Sequence, residues 1–309
     1  MTQILSVAQV ITPILIAILL GMLARSKNIM KPQEVQGLQT FVLKFGLPCV
    51  LFNSCLSANV GPESLGVMGL ALVCLLISSL WSYRARKKQF VYHNLPMLFS
   101  AQETGMLGIP LFMILFGADQ AYRIGILDLT QALVAYPTIA ILAAKSGDAP
   151  SPLQVAKSVI TSPLLLISLL GLFLNLTGIG GFLDRIGIGP VITEATSFMA
   201  QPVSALMIFS VGYNFTLSGG NRSDILRITL IHIVMYVIFG VLIQLALFLI
   251  PNVDALTRWS IVLFAALPAS YLAPGLGRTD DDISMASGVC SLTTLTCIII
   301  FCIMAAFSA

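Results

Sequence analysis

Long apolar stretches alternate with short polar connections along the whole chain. Since a membrane crossing needs ~20 apolar residues, this pattern predicts ten transmembrane helices that are separated at charged or Gly/Pro-rich positions. The predicted helices 1 to 10 span residues 7–24, 34–57, 64–82, 94–117, 121–143, 155–176, 190–217, 225–250, 257–275 and 283–307. The longest connections lie around Tyr83–His93, Ala144–Gln154 and Thr177–Gly189. The pattern therefore predicts an all-α polytopic membrane protein without a sizeable soluble domain.

Composition strengthens the membrane interpretation. Of the 309 residues, 57% are hydrophobic and only 9% are charged, with a mean hydropathy of +0.97, whereas soluble domains contain about 25% charged residues. So few charges argue against a cytosolic enzyme or a nucleic-acid-binding protein. The six Cys residues lie in apolar stretches without metal-ligand spacing, and motifs for nucleophilic, zinc or phosphate chemistry are absent from the sequence. We therefore expect neither enzymatic activity nor a cofactor or metal.

Basic residues are distributed unevenly among the connections. Twelve Lys and Arg residues follow helices 1, 3, 5, 7 and 9, whereas the opposite connections contain only Arg123, Arg185 and Arg258. By the positive-inside rule the first set is cytoplasmic, which places both termini outside and agrees with an even number of crossings. The first apolar segment lacks the preceding basic region of a signal peptide, and eukaryotic targeting signals are absent, so the simplest location is the bacterial cytoplasmic (inner) membrane.

The two halves of the chain contain a repeated motif. Pro13 and Gly21 of helix 1 are eight residues apart, as are Pro163 and Gly171 of helix 6. Helices 2 and 7, and the Pro/Gly-rich helices 4 and 9, also correspond in order. An odd number of helices per half would invert the second half, which is typical of transporters, although apolar helices can also resemble one another by chance. The expected domains are 1–150, with helices 1–5, and 151–309, with helices 6–10.

Helices 4 and 9 are poor continuous helices. Helix 4 contains Gly105, Gly108 and Pro110, and helix 9 contains Pro268 and Pro274. Because proline removes an amide donor and glycine lowers helix propensity, we expect both helices to unwind there. In inverted-repeat carriers two such breaks meet at mid-membrane and direct half-helix N-termini at an anionic substrate, while kinks that only shape packing are the alternative. The predicted substrate-binding residues are Glu103, Thr104, Gly105, Gly108, Pro110, Pro268, Ser270, Tyr271 and Pro274.

Several short motifs, spread over nearly the whole chain, together resemble the auxin efflux carrier family. They are Pro13-x7-Gly21 followed by Arg25, Gly46-Leu47-Pro48 of helix 2, Gly105-Met106-Leu107-Gly108-Ile109-Pro110 of helix 4, and Leu267-Pro268-Ala269 of helix 9. Bacterial members of this family include malate and malonate permeases. The resemblance implies two inverted five-helix repeats, a scaffold of helices 1, 2, 6 and 7, and a mobile transport unit of helices 3–5 and 8–10 with crossing broken helices. It also implies elevator-type movement and often a homodimer.

The chain departs from the plant members of that family at the expected substrate contacts. In those carriers one Asn precedes the break in helix 4 and another lies within the break in helix 9. This chain has Glu103 at the first place and Ser270 or Tyr271 around the second. The resemblance therefore does not identify the substrate.

Two carboxylates fall inside the predicted hydrocarbon region. At 1.5 Å per residue, Glu103 lies ~14 Å from the start of helix 4 and Asp128 ~10 Å from the start of helix 5. A buried ionised carboxylate is costly unless it is paired or hydrated, so we expect Glu103, and secondarily Asp128, to exchange a proton during transport. A structural role is the alternative, with Glu103 paired to Lys44 or hydrogen-bonded to Thr130 or Gln131. Lys44 is thus a candidate counter-ion or structural residue.

The predicted function is secondary active transport of a small organic anion, a mono- or dicarboxylate, coupled to protons. The alternative is a sodium-coupled carrier of a larger amphipathic anion, because Glu103, Gln102, Thr104 and unwound carbonyls offer the oxygen ligands that Na⁺ prefers. A channel or a membrane receptor would need a continuous polar pore or an added signalling domain. The expected partners are membrane lipid, the organic anion and a proton or sodium ion, without nucleic acid.

Overall fold

The computed structural model describes residues 2–143, 154, 157, 161, 163–216, 221–250 and 253–308, and every regular element in these residues is helical. The α-helices are α1 (Thr2–Ser26), α2 (Pro32–Phe41), α3 (Leu47–Leu56), α4 (Pro62–Lys88), α5 (Leu95–Ser100), α6 (Ile109–Phe116), α7 (Tyr122–Ala143), α8 (Pro163–Leu176), α9 (Ile179–Arg185), α10 (Ile188–Ala200), α11 (Val203–Asn214), α12 (Arg222–Ala246), α13 (Ala255–Ala266) and α14 (Asp280–Ser308). Two π-helical segments, Val42–Gly46 and Thr104–Gly108, join α2 to α3 and precede α6. The predicted domain boundary at residues 150 and 151 lies outside the described residues.

Six helical stretches of the described chain are long and apolar enough to cross a membrane, and the bent pair α8 and α9 would be a seventh. The six are Pro32–Leu56, Glu63–Lys88, Ala118–Ala143, Ile188–Asn214, Arg222–Ala246 and Asp280–Phe307. Shorter apolar helices occupy predicted helices 1, 4 and 9. The membrane class and the helical fold are therefore confirmed, whereas the ten crossings stay a prediction.

Two connections contain more helix than the sequence predicts. Helix α4 continues to Lys88, beyond the predicted end at residue 82, with Arg86 and Lys87 also in its last turn. Cations there interact favourably with the negative end of the helix dipole. The connection after α8 contains the short helix α9, which is bent by 77° relative to α8. Gly178 between them has a φ of 72°, in the left-handed region that favours glycine.

A π-helical segment precedes a proline in two predicted helices. The first ends at Gly46, two residues before Pro48, and the second ends at Gly108, two residues before Pro110. Proline has no amide hydrogen, and its ring clashes with the carbonyl four residues earlier in a regular α-helix. The wider π turn changes which carbonyl meets the ring, so both helices pass the proline without ending.

Each glycine of the repeated Pro-x7-Gly motif lies at a close helix contact. Helix α1 packs along α11, and α8 packs along α3. A Cβ atom on Gly21 would collide with the carbonyl oxygen of Phe209, and one on Gly171 would lie 2.6 Å from the carbonyl oxygen of Phe52. Small residues allow such close approach of helix backbones in membranes.

Two predicted helices are interrupted. Broken helix 4 consists of α5, the second π segment and α6, and broken helix 9 consists of α13 and the residues that follow it. The remaining helices enclose both. Helix α5 lies against α4 and α7, and α13 lies against α7, α12 and α14. The large side chains of Phe99, Phe112, Tyr236 and Phe301 are buried among these helices. The irregular backbone therefore lies inside protein, where its polar groups can find partners that lipid does not offer.

Candidate functional site

Both predicted breaks are present in the structure. In broken helix 4, α5 ends at Ser100, an extended segment follows, and the π-helix begins at Thr104. In broken helix 9, α13 ends at Ala266 and non-helical residues lead to a short 3-10 turn that begins at Pro274. The second break lies where the sequence predicts it. The first lies earlier than predicted, because the π turn accommodates Pro110 without a gap in the helix.

The extended segments of the two breaks run antiparallel and are hydrogen-bonded to each other. Gln102 and Ala269 form an isolated β-bridge. The backbone N–H of Glu103 donates to the carbonyl oxygen of Pro268 at 2.8 Å, and the N–H of Ala269 donates to Thr293 Oγ1 at 3.3 Å. These bonds satisfy backbone groups that both helices lose at the breaks.

Gln131 on α7 forms hydrogen bonds with broken helix 4 at the point where the two broken helices cross. Its Oε1 accepts from the backbone N–H of Gln102 at 2.8 Å, and its Nε2 donates to the Gln102 carbonyl at 3.0 Å and to Thr104 Oγ1 at 2.9 Å. The buried side-chain amide thus pairs with both backbone groups of Gln102. Gln131 is therefore a partner of Gln102 and Thr104 rather than of Glu103. The Gln102 carbonyl oxygen and Thr104 Oγ1, which were considered as sodium ligands, already accept hydrogen bonds from it.

Glu103 connects the two broken helices through its carboxylate. The side chain is 8% exposed. Its Oε2 accepts from the backbone N–H of Tyr271 at 2.8 Å, and its Oε1 accepts from the N–H of Met106 at 3.3 Å. One donor belongs to broken helix 9 and the other to the first turn of the π-helix. Two of the main-chain donors that we expected to face a substrate are therefore bonded to the carboxylate of the protein itself.

The predicted residues of broken helix 9 lie together beside Glu103. Ser270 is buried, and its Oγ accepts from the N–H of Leu272 at 3.3 Å. The hydroxyl of Tyr271 lies 2.7 Å from Thr294 Oγ1 on α14, so this tyrosine contacts Glu103 with its backbone and α14 with its side chain. Pro274 lies with Tyr271 at the wall of a cavity.

The predicted residues of broken helix 4 have different local roles. A Cβ atom on Gly108 would lie 2.7 Å from the Leu267 side chain, so glycine allows the second break to pack against the π-helix. Gly105 has ordinary space around it, with the nearest atoms at 3.8 Å or more. Thr104 and Pro110 are buried, Thr104 at the crossing and Pro110 within α6.

Asp128 on α7 joins the crossing indirectly. It is half-buried, and its Oδ1 accepts from Gln131 Nε2 at 2.9 Å. Gln131 thereby connects this second carboxylate with the backbone of broken helix 4. Among the described residues, no group of three or more His, Cys, Asp or Glu side chains could hold a metal ion.

The structural alternative for Glu103 needs correction. Lys44 is exposed on the first π segment, and within the described ranges it forms no hydrogen bond or ion pair with either carboxylate. Its exposure separates it from the buried Glu103. Thr130 does not bind Glu103 either, because its hydroxyl donates to the carbonyl of Ile126 at 2.8 Å. The partners of Glu103 are backbone amides, which the sequence did not indicate.

A cavity of about 320 Å³ adjoins the crossing at Tyr271. Arg25 on α1 and Asn214 at the end of α11 form one side of it. Polar side chains of α14 also line it, namely Ser287, Cys290, Ser291 and Thr294. No acidic side chain is among the described residues that line it. The cavity is therefore polar, with a positive charge on one side, which suits a small anion.

The sequence contained a signal for this α14 surface. Ser287, Ser291 and Thr294 follow the spacing i, i+4 and i+7, which places them on one face of the last apolar helix. In the sequence, Arg25 counted toward topology and toward the first family motif, but not as a binding residue. Its position beside the cavity depends on the packing of α1 against α11 and α14, which a local pattern does not reveal.

One part of the chain resembles a known protein family. Residues 6–150 match a protein family described as "Membrane transport protein", over a range that includes Glu103, Gln131 and the first break. No match was found among curated proteins. The family match and the apolar helices together indicate a membrane transporter.

Proposed function

We propose that the protein is a secondary active transporter of a small organic anion, a mono- or dicarboxylate, and that Glu103 couples this transport to a proton. The observation that carries the proposal is the position of the Glu103 carboxylate. It accepts one backbone amide from each broken helix and lies directly behind Tyr271, which lines the polar cavity.

Protonation of Glu103 would permit binding of the anion for two reasons. The charged carboxylate repels an anion in the adjoining cavity, and it holds the amides of Met106 and Tyr271 in charge-assisted hydrogen bonds. A neutral carboxyl group exerts no such repulsion and is a weaker acceptor. Proton and anion therefore bind together, and the carrier works as a symporter.

The proposed movement is that of the transport unit, predicted helices 3–5 and 8–10, against the scaffold. Helices α1, α3, α8 and α11 supply the scaffold, and their pairing through Gly21 and Gly171 supports two inverted repeats. The cavity lies between α1 and α11 on one side and α14 with Tyr271 on the other. A shift of the second side along the first would close the cavity and reopen it at the other surface. With both termini outside a bacterial cytoplasmic membrane, Arg25 lies on the cytoplasmic side, so the cavity opens there.

The size and chemistry of the cavity favour a small hydrophilic anion over a larger amphipathic one. Its volume is about 320 Å³. Ligand sites in proteins span about 300–1,000 Å³, so this cavity is at the lower end. The sodium-coupled alternative makes a different prediction for the driving ion, which the following experiment decides.

Purified protein in liposomes would be given labelled succinate, malonate or lactate under an imposed pH gradient, an imposed Na⁺ gradient or neither. We expect the inward pH gradient to accelerate uptake and the Na⁺ gradient to have no effect. The Glu103→Gln variant, which cannot ionise at this position, should bind substrate but lose the response to pH. Glu194→Gln, which removes an exposed carboxylate on α10 away from the site, is the matched control, and Asp128→Asn tests the second candidate carboxylate. An unchanged pH response in Glu103→Gln, or acceleration by Na⁺ alone, would overturn the coupling mechanism.

A further inference from the structure

Arg25 has a geometry suited to holding a carboxylate at the cavity. Its Nη1 donates to the carbonyl oxygens of Tyr213 at 3.2 Å and Phe215 at 3.5 Å, at the C-terminal end of α11. These bonds orient the guanidinium group. Arginine has five N–H donors in a planar fork, and within the described residues Nε and Nη2 of Arg25 have no hydrogen-bond partner. The remaining donors match the two oxygens of a carboxylate.

The α14 residues that line the cavity offer neutral hydroxyl groups. They are Ser287, Ser291 and Thr294; Ser287 forms no hydrogen bond with other described residues, and Ser291 Oγ accepts from the backbone N–H of Thr216 at 3.2 Å. The hydroxyl of Tyr271 adjoins Thr294 Oγ1 at 2.7 Å. A ligand that spans the cavity would thus meet a cation at one end and hydroxyl donors and acceptors at the other.

We propose that Arg25 binds a carboxylate of the substrate from the scaffold side, while the α14 hydroxyl groups bind a second polar group at its other end. This inference deepens the proposed function and rests on it. It assigns the substrates to short dicarboxylates and hydroxycarboxylates. Simple monocarboxylates with an apolar tail lack the second polar group and are poor substrates.

The two sides of the cavity belong to different proposed units, so the role of Arg25 depends on the side of the membrane from which the substrate binds. Arg25 lies on α1 of the scaffold, whereas Ser287 and Tyr271 move with the transport unit. The substrate would leave Arg25 when the transport unit moves. Arg25 therefore acts only on substrate that enters or leaves on the cytoplasmic side.

The test compares the two faces of the membrane. Liposomes with the protein in right-side-out and in inside-out orientation would be assayed for KM and kcat with succinate. Removal of a charged bidentate contact costs about 1.5–3 kcal/mol, so we expect Arg25→Gln to raise the cytoplasmic KM by about tenfold to a hundredfold. The external KM should change by less than about twofold. Arg25→Lys should fall between, because an ammonium keeps the charge but not the fork.

Two controls separate this role from topology and folding. Lys27→Gln removes a charge from the same connection and away from the cavity, and it should leave both KM values unchanged. Ser287→Ala should weaken succinate transport but not residual propionate transport, since only succinate has a second carboxylate.

The outcomes distinguish the two proposals. An unchanged cytoplasmic KM in Arg25→Gln, an equal loss at both faces, or the same effect from Lys27→Gln would overturn the role of Arg25 while leaving proton-coupled transport intact. A wild-type protein that transports none of the tested carboxylates would overturn the proposed function itself.

Discussion

Glu103 Oε2 accepts a hydrogen bond from the backbone N–H of Tyr271 at 2.8 Å, although the two residues belong to different broken helices. Tyr271 also lines the cavity and contacts Thr294 through its hydroxyl. A change of charge on Glu103 therefore alters the hydrogen bond to the backbone of Tyr271, and Tyr271 also faces the cavity. In the proposed mechanism, proton binding to Glu103 thus acts on a residue of the cavity wall through one hydrogen bond, without a change in the rest of the fold.

Substrate affinity should depend on pH through Glu103. In the proposed mechanism the anion binds when Glu103 is neutral, so affinity should be high in acid and fall as the pH rises through the range in which Glu103 ionises, with a carboxylate substrate that stays ionised over this range. In Glu103→Gln the affinity should be high and independent of pH. Binding to detergent-solubilised protein, measured by calorimetry, checks this. A wild-type affinity that rises with pH would contradict the assignment.

Loss of the Gln131 side-chain amide should destabilise the protein. Gln131→Leu would leave the buried N–H of Gln102 without its partner, at about 1–3 kcal/mol, and would remove one of the two donors to the Gln102 carbonyl, which keeps the N–H of Thr104. We expect a clearly lower Tm in detergent and loss of transport. Leu133→Ala, at an exposed position of the same helix, is the matched control and should leave the Tm nearly unchanged. Equal Tm values for wild type and Gln131→Leu would show that the crossing does not need this support.

The difference between the predicted and the observed position of the first break has a physical cause. Proline and glycine indicate where a helix is weak, and in broken helix 9 the weak place is also where the chain unwinds. In broken helix 4 the π turn lets the helix continue through Pro110. The extended segment forms instead where Gln102 can pair with Ala269. That pairing joins residues far apart in sequence, so local propensity does not locate it.

The same distinction applies to the candidate site. Its buried acid was predictable, because Glu103 is a carboxylate deep inside an apolar stretch. Its partners were not, since Tyr271 and Met106 donate through their backbones, which every residue except proline can do. The proposed pairing of Lys44 with Glu103 fails for the converse reason, because its position within an apolar stretch does not say which face of the helix it occupies.

Alanine at Gly21 should disrupt the contact between α1 and α11. The added Cβ atom would meet the Phe209 carbonyl, a rigid backbone atom, so the two helices must separate. We expect a lower Tm and less folded protein, with the same direction for Gly171→Ala. Gly69 in α4 is the matched control, since a Cβ there meets nothing within 4 Å. Gly69→Ala should be neutral or stabilising by about 0.5–1 kcal/mol. A Gly21→Ala protein as stable as Gly69→Ala would contradict the close helix contact.

Replacement of Tyr271 by phenylalanine should separate substrate binding from proton coupling. Tyr271→Phe removes the hydroxyl that faces Thr294 but keeps the backbone N–H that Glu103 accepts. We therefore expect a KM that is raised by about threefold to tenfold, in line with ~1 kcal/mol for a neutral hydrogen bond, and an unchanged response to pH. Thr294→Val should have a similar effect.

The double variant Tyr271→Phe/Thr294→Val tests whether these two hydroxyl groups act as one unit. If their mutual hydrogen bond positions them for the substrate, the second substitution adds little to the first, because the pair is already broken. KM values for the four proteins, measured at two pH values, give the interaction free energy directly. Additive losses would show instead that the two hydroxyl groups act independently, and a pH response that vanishes in Tyr271→Phe would show that the phenol hydroxyl belongs to the proton pathway. The contact between Tyr271 and Glu103 would then act through the side chain as well as through the backbone.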